Sequence, residues 1–147
     1  MSDLIDFQSA SQVDDPDQAR TEMVCELLRE EGFRPQIDSD GDIMVRVAGK
    51  THFVFVDESF LRIWRPAVWS IDCGSEWREC AKACSKVNSK VKKVKAYFEL
   101  DDEYVSLSYD TDVITQNLGE QLTLGFDALA VGQKVFNNYM LTQLMDE

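Results

Sequence analysis

The chain has 147 residues, of which 44% are hydrophobic and 29% are charged, and this composition indicates one folded domain rather than a disordered chain. Its 15 basic and 27 acidic residues give a net charge of -12, which disfavours binding to nucleic acid or to an anionic membrane surface. No apolar run is long enough to span a bilayer and no signal peptide is recognisable, so we expect a cytoplasmic protein with reduced cysteines.

The N-terminal part is predicted to contain an arm and a helix. Residues 1–14 are polar and acidic, and they predict a flexible arm ahead of a single domain formed by residues 15–147. The helix is expected to begin at Asp15 and Pro16, which suit the N-cap and first turn, and to end before Gly32. Apolar residues at helical spacing give this helix one buried stripe.

The middle of the chain is predicted to form strands. Apolar and polar residues alternate over 43–47, 51–56 and 60–64, and the tight turns between these runs indicate an antiparallel meander. The acidic segment 38–42 is interpreted as a hairpin turn rather than a calcium loop, because it lacks the later ligands of such a loop. A long aromatic loop is expected over residues 65–74.

The second half repeats this change of periodicity. A helix is predicted over 75–90, strands over 94–100 and 104–109, and one long helix or two nearly collinear ones over 116–145. The complete order predicts an α+β fold, in which three helices pack on an antiparallel sheet of five to six strands.

Several stretches carry a resemblance to a known family: Gly41–Val47, Phe53–Asp57, Phe60–Trp64, and Val87–Lys90 leading to Lys95–Phe98. In these stretches and in its order of elements, the chain resembles the YbjN-like family, whose fold is that of the type III secretion chaperones. The resemblance implies a small bacterial cytoplasmic protein with a regulatory role. It also implies a fold that often dimerises and binds partner polypeptides, and it supplies no catalytic motif.

A basic cluster interrupts this acidic chain. Seven of the 15 basic residues lie between positions 78 and 95, and three of them recur every fourth residue as Lys82, Lys86 and Lys90. One interpretation is a solvated helix face whose lysines favour the negative end of the helix dipole. The other is a site for an acidic partner, with Trp64 and Trp69 as further candidate binding residues because tryptophan is enriched at binding hot spots.

The last helix carries more apolar surface than a helix on one side of a sheet requires. One stripe runs from Leu118 through Phe126 to Leu144, and a second stripe lies beside it. The second stripe and its small residues predict a surface for a second subunit or a client, unless the helix is buried on all sides. The candidate residues of this surface are Leu124, Gly125, Ala128, Val131, Gly132, Val135 and Tyr139.

These observations predict a non-enzymatic protein-binding module, chaperone-like or regulatory, that binds a partner polypeptide and forms a homodimer. The alternative is a small-molecule-sensing domain with a pocket lined by Trp64, Trp69 and Trp77. His52 has no evident catalytic partner and is expected to be structural. The cysteines lack the spacing of a zinc site, and Cys80 and Cys84 are expected to pack in the core. No catalytic residue, metal or cofactor is predicted.

Overall fold

The computed structural model of the chain describes residues 16–72, 74–99, 101 and 103–145. The predicted arm over residues 1–14 and the predicted N-cap Asp15 lie outside these residues. The described residues form three α-helices and a six-stranded antiparallel sheet, so the predicted α+β fold is confirmed.

The helices are α1 (Pro16–Glu30), α2 (Gly74–Lys90) and α3 (Leu118–Met145), and a short 3-10 helix (Thr115–Asn117) leads into α3. The strands are β1 (Gln36–Ile37), β2 (Ile43–Val47), β3 (Lys50–Val56), β4 (Phe60–Ser70), β5 (Val94–Glu99) and β6 (Tyr104–Asp112). They are ordered β1-β2-β3-β4-β6-β5 across the sheet, and every neighbouring pair is antiparallel.

All three helices lie on the same face of the sheet. α3 crosses its centre, where Gly125 packs against Ile63 of β4 and Tyr109 of β6, and Gly132 packs against Val94 of β5. α1 contacts α3 and β3 on one flank, and α2 contacts α3 and β5 on the other. Within the described ranges, the opposite face of the sheet therefore carries no helix.

Strand alternation decides which side chains enter the core between sheet and helices. Successive side chains of a strand point to opposite faces, so every second residue of each strand reaches the helices. Burying one such aliphatic side chain stabilises the fold by about 1.5–3 kcal/mol. The buried strand residues on this face include Ile43, Val45, Val54, Leu61, Ile63, Val94, Ala96, Val105 and Leu107.

Two parts of the sheet differ from the sequence-based prediction. The pattern does not predict β1, because a strand of two residues shows no periodicity. The predicted loop over residues 65–74 is wrong in its first half, because β4 continues to Ser70. The strand accommodates Pro66 through an irregularity between Arg65 and Trp69, where Ala67 has a φ of 51° and donates its N–H to Ser106 Oγ over 3.0 Å.

Candidate functional site

The helix-free side of the sheet carries a cluster of large apolar side chains, which we call the aromatic face. Strand alternation places its five members there: Met44, Phe53, Phe55, Trp64 and Tyr97. Phe55 is 37% exposed, and the other four are half-buried although no described helix packs over them. Among the described residues, one copy of the chain thus leaves this side of the sheet without a covering helix, with Phe55 as its most exposed apolar side chain.

Trp64 lies at the centre of the aromatic face. Its ring is 5.4 Å from that of Phe53, its direct partner across β3 and β4. On its other side it is paired with Ser108 of β6, a small residue that leaves room for the indole. The indole Nε1 is buried and interacts with Tyr97, but it makes no hydrogen bond of normal geometry.

Paired ionic groups border the aromatic face on its β6 side. Arg62 Nε donates to Asp110 Oδ1 over 2.7 Å, and Lys95 Nζ lies 3.7 Å from Asp110 Oδ2. The hydrogen bond to Asp110 is the main cause that raises the pKa of Arg62. Burial, and next the nearby Glu99, raises the pKa of Tyr97 to about 12, so its hydroxyl stays protonated at neutral pH.

The opposite border of the aromatic face is cationic. A surface depression of about 650 Å³ lies there, beside β1 and β2. Met44 belongs both to this depression and to the aromatic face, so the two surfaces are continuous. None of the described lining residues is a carboxylate, although acidic residues outnumber basic ones in the chain. The lining residues are Gly32, Phe33, Arg34, Gln36, Met44, Arg46 and Thr51.

The structure brings the predicted lysines next to part of the predicted α3 surface. Lys82, Lys86 and Lys90 are exposed along α2, and Lys86 Nζ lies 5.6 Å from the centre of the Tyr139 ring on α3. Lys86, Lys90, Val135 and Tyr139 line one groove between the two helices. Lys82 instead forms an ion pair with Glu79, with its Nζ 3.6 Å from Glu79 Oε1.

The outer side of α3 retains exposed apolar residues. Leu124 and Val131 are 53% and 52% exposed, whereas Ala128 and Val135 are half-buried beside them. The described side chains of the first predicted stripe, from Leu118 through Phe126 to Met140, are buried against the sheet and the other helices, and Leu144 lies outside the described side chains. One copy of the chain therefore buries one stripe of α3 and leaves part of the second in solvent.

Gly125 and Gly132 do not belong to that outer surface, and this part of the prediction is wrong. Both are buried and face the sheet. A Cβ at Gly125 would lie 2.5 Å from Ile63 Cδ1, and a Cβ at Gly132 would lie 3.1 Å from Val94 Cγ1. The two glycines let α3 approach its own sheet closely, so a neighbouring molecule has no access to them.

The predicted tryptophan pocket is also wrong. Trp69 lies on the helix side of the sheet, where its Nε1 donates to Glu76 Oε1 over 2.6 Å and its ring is 5.6 Å from Phe136. Trp77 of α2 stacks on Phe98 at 5.3 Å. Trp64 points to the opposite face, as the alternation of side chains predicts for two residues that lie five positions apart on one strand. The three rings line no common cavity, and of the predicted pair only Trp64 lies on the aromatic face.

A buried polar network that the sequence pattern does not predict lies under α3. Arg65 is only 5% exposed, and its Nε donates to His52 Nε2 over 2.8 Å while its Nη1 donates to Gln133 Oε1 over 2.6 Å. The alternation of Leu61, Ile63 and Arg65 was the signal for this burial. His52 is fully buried with its ring 5.1 Å from Phe126, which supports the structural role predicted for it.

Two other candidates from the sequence have structural explanations. Cys25, Cys80 and Cys84 are free thiols within the core cluster. The carboxylates of Asp38, Asp40 and Asp42 lie close together, but Asp38 Oδ1 already accepts the backbone N–H groups of residues 40 and 42, as in an ordinary turn. Among the described residues, no helix is both long and apolar enough to cross a membrane.

Comparisons with known proteins show the fold. No family model and no curated protein sequence matches the chain. YbjN from E. coli, a proposed transcription regulator, aligns with a TM-score of 0.62 at 11% identity, over 83% of this chain and 92% of that chain. The Yersinia pestis type III secretion chaperone SycH, solved in complex with a stable fragment of YscM2, aligns with a TM-score of 0.55 at 14% identity, over 79% of this chain and 98% of that chain.

An uncharacterized protein from Methanothermobacter thermautotrophicus aligns with a TM-score of 0.55 at 12% identity, over 84% of this chain and 97% of that chain. The chain therefore has the fold shared by YbjN and a secretion chaperone, as the resemblance in sequence predicts. Identities of 11–14% carry the likeness of fold only.

Proposed function

We propose that this chain is a non-enzymatic binding protein that holds a partner polypeptide on the aromatic face. The observation that carries the proposal is the packing of α1, α2 and α3 on one face of the sheet, which leaves the exposed Phe55 and four half-buried large side chains of the other face without a covering helix. Contiguous apolar surfaces of this kind, rimmed by polar groups, typically mark interaction sites. Tryptophan and arginine, both present here, are enriched at binding hot spots.

The chemistry of the aromatic face favours a partner segment that is apolar and carries acidic side chains. Phe53, Phe55 and Trp64 offer rings for apolar contacts, and the depression beside them offers Arg34 and Arg46 without a lining carboxylate. The crystal structure of SycH holds a protein fragment, which supports a polypeptide ligand for the same fold. A chaperone-like or regulatory role follows if that ligand is a client or a regulated protein.

We further propose that the chain forms a homodimer through the outer side of α3. The residues that carry this proposal are Leu124 and Val131, which are exposed, and Ala128, Val135 and Tyr139, which border them. Lys86 and Lys90 line the groove beside Tyr139 and would steer the acidic surface of a second copy toward it.

The partner-binding proposal is tested by capture from an extract of the cells that make the protein. Phe55→Glu places a negative charge on the aromatic face, which would repel the acidic side chains proposed for the partner. Ile114→Glu is the matched control, because Ile114 is a similarly exposed apolar residue outside that face. We expect Phe55→Glu to reduce the yield of the captured polypeptides by about tenfold or more, the effect of losing one hot spot. Equal yields from both variants, with unchanged melting temperatures, would exclude the aromatic face.

The dimer and the lysines are tested separately. Light scattering is expected to give twice the 16.8 kDa mass for the unmodified chain and a monomer for Leu124→Glu/Val131→Glu. Lys86→Glu/Lys90→Glu is expected to slow the association of two copies of the chain, most strongly at low salt. Arg29→Glu/Lys50→Glu, an equal charge change elsewhere on the surface, is expected to have little effect.

A further inference from the structure

Residues 3–7 have the chemistry expected of a ligand for the aromatic face. Leu4, Ile5 and Phe7 are apolar, and Asp3 and Asp6 are interleaved with them. The five residues that follow are small or polar. This segment lies outside the described residues, which begin at position 16.

The point where the described chain begins favours docking on the same molecule. Pro16 lines a surface depression together with Glu58 and the neighbouring residues of the turn between β3 and β4. The side chain of Arg20, one turn further along α1, lies 3.9 Å from Glu58. Phe55 lies just before this turn, and its side chain belongs to the aromatic face. Pro16, where the described chain begins, therefore lies near the end of β3 that carries Phe55.

The connecting residues are long enough to reach the centre of the face. Nine residue steps separate Phe7 from Pro16. An extended chain covers about 3.3 Å per residue, so these steps span up to about 30 Å. β3 has seven residues and a length of about 23 Å at the same rise per residue. Phe7 can therefore pass the end of the sheet and still reach Phe53 and Trp64 at the middle of the face.

Charge complementarity favours one orientation of residues 3–7 along the aromatic face. With Phe7 at the middle of the face, Asp3 lies up to about 13 Å further along, four residues ahead of Phe7. Arg46 is paired with Thr51, two residues before Phe53 on β3, so it lies in this direction. Arg34 lines the same depression as Arg46. The acidic end of the segment would thus meet the cationic end of the face.

We propose that residues 3–7 bind the aromatic face of their own chain. Phe7 packs against Phe53 and Trp64, and Asp3, which points to the same side of an extended segment as Phe7, faces Arg34 and Arg46. This inference rests on the proposed function, because it assigns a regulatory segment of the same chain to the proposed binding surface. A partner polypeptide then has to displace the segment, and the segment shields the apolar face while no partner is present.

The test uses the full chain and a synthetic peptide of residues 1–15 as the probe. Leu4→Ala/Ile5→Ala/Phe7→Ala removes the apolar contacts, and Ser9→Ala/Ser11→Ala is the matched control in the same segment. We expect the first variant, and not the control, to move the NMR signal of the Trp64 indole N–H. We also expect the peptide to bind this variant about tenfold tighter than the unmodified chain, because a tethered segment competes at an effective concentration in the millimolar range.

Three outcomes would overturn the inference. The first is an unchanged Trp64 indole signal in the triple variant. The second is equal affinity of the peptide for the variant and the unmodified chain. The third is a signal that depends on protein concentration, because exchange of the segment between copies would give that result. None of these outcomes affects the loss of partner capture by Phe55→Glu, so failure of this inference remains distinguishable from failure of the proposed function.

Discussion

Arg65 and His52 form a buried hydrogen bond between a guanidinium and an imidazole, with the Arg65 Nε donating to His52 Nε2 over 2.8 Å. Among the described residues, Arg65 makes no ion pair, and its remaining side-chain hydrogen bond goes to the neutral amide of Gln133. Burial lowers the pKa of Arg65. The core therefore contains a cation whose hydrogen bonds go to two neutral acceptors. We expect the stability of the fold to depend on both acceptors.

Removal of one acceptor is expected to be costly. Gln133→Met keeps the approximate shape of the side chain but leaves a buried charged donor without a partner, which costs about 2–4 kcal/mol of unfolding free energy. Arg65→Met in the same chain removes the charge as well, so the double variant is expected to be less destabilised than the sum of the two single variants. Urea denaturation of all four proteins measures this coupling, and strictly additive losses would contradict it.

The protonation of His52 is expected to make stability depend on pH. Burial, and next the charge of Arg65, lowers the pKa of His52 from 6.5 to about 4. Between these values the unfolded chain binds a proton that the folded chain does not bind. The unfolding free energy therefore falls as pH decreases from 6.5 to 4, by up to about 3 kcal/mol from this group.

Denaturation of the unmodified chain and of His52→Gln across this range isolates the effect. The difference in unfolding free energy between the two proteins is expected to shrink as pH falls through the window. A constant difference would show that His52 has an ordinary pKa in the folded chain.

The glycines of α3 provide a graded test of how closely the helix packs on the sheet. A Cβ at Gly125 would lie 2.5 Å from Ile63 Cδ1 and 2.8 Å from Tyr109 Cδ2, so Gly125→Ala is expected to destabilise the fold by about 1–3 kcal/mol. Gly119→Ala is the control, because its Cβ would meet side-chain atoms only at 3.5 Å or more. That variant is expected to be neutral or slightly stabilised through its higher helix propensity. Equal thermal stability of both variants would contradict the packing.

Cys80 and Cys84 are expected to be unreactive in the folded chain. Burial is the main cause that raises their pKa values to about 11 and about 12. At pH 8 both remain thiols, and alkylation of these two residues is expected to be at least about a hundredfold slower than in the urea-unfolded chain. Mass spectrometry of labelled peptides measures the two rates, and similar rates would mean that the thiols are accessible.

The fold follows from local patterns more fully than the site does. Helical spacing predicts α1 and α3 to within a few residues, and alternation predicts β2 with the same bounds as the structure. The continuation of β4 beyond Trp64 is hidden because Pro66 interrupts the strand pattern, and Ala67 absorbs the irregularity with a positive φ. Gly125 and Gly132 illustrate a second limit, since small residues indicate a close approach without showing which neighbour approaches.

The aromatic face could not be predicted from the periodicity of the sequence, because its exposure depends on where the helices pack. The apolar residues on both faces of β3 are visible in the sequence, but the location of the three helices on a single face is not. Its residue type alone makes Trp64 a candidate binding residue. Its position at the centre of the face depends on Phe53 and Ser108, which pair with it across the sheet.

Site-specific photo-crosslinking from position 55 tests the proposed binding surface most directly. A photoreactive phenylalanine analogue replaces Phe55 in the full chain, in the cells that make the protein, and the same analogue at Ile114 serves as the control of comparable exposure. We predict covalent capture of a polypeptide other than the chain itself from position 55 and not from position 114. No capture from either position, or equal capture from both, would contradict a binding role for the aromatic face.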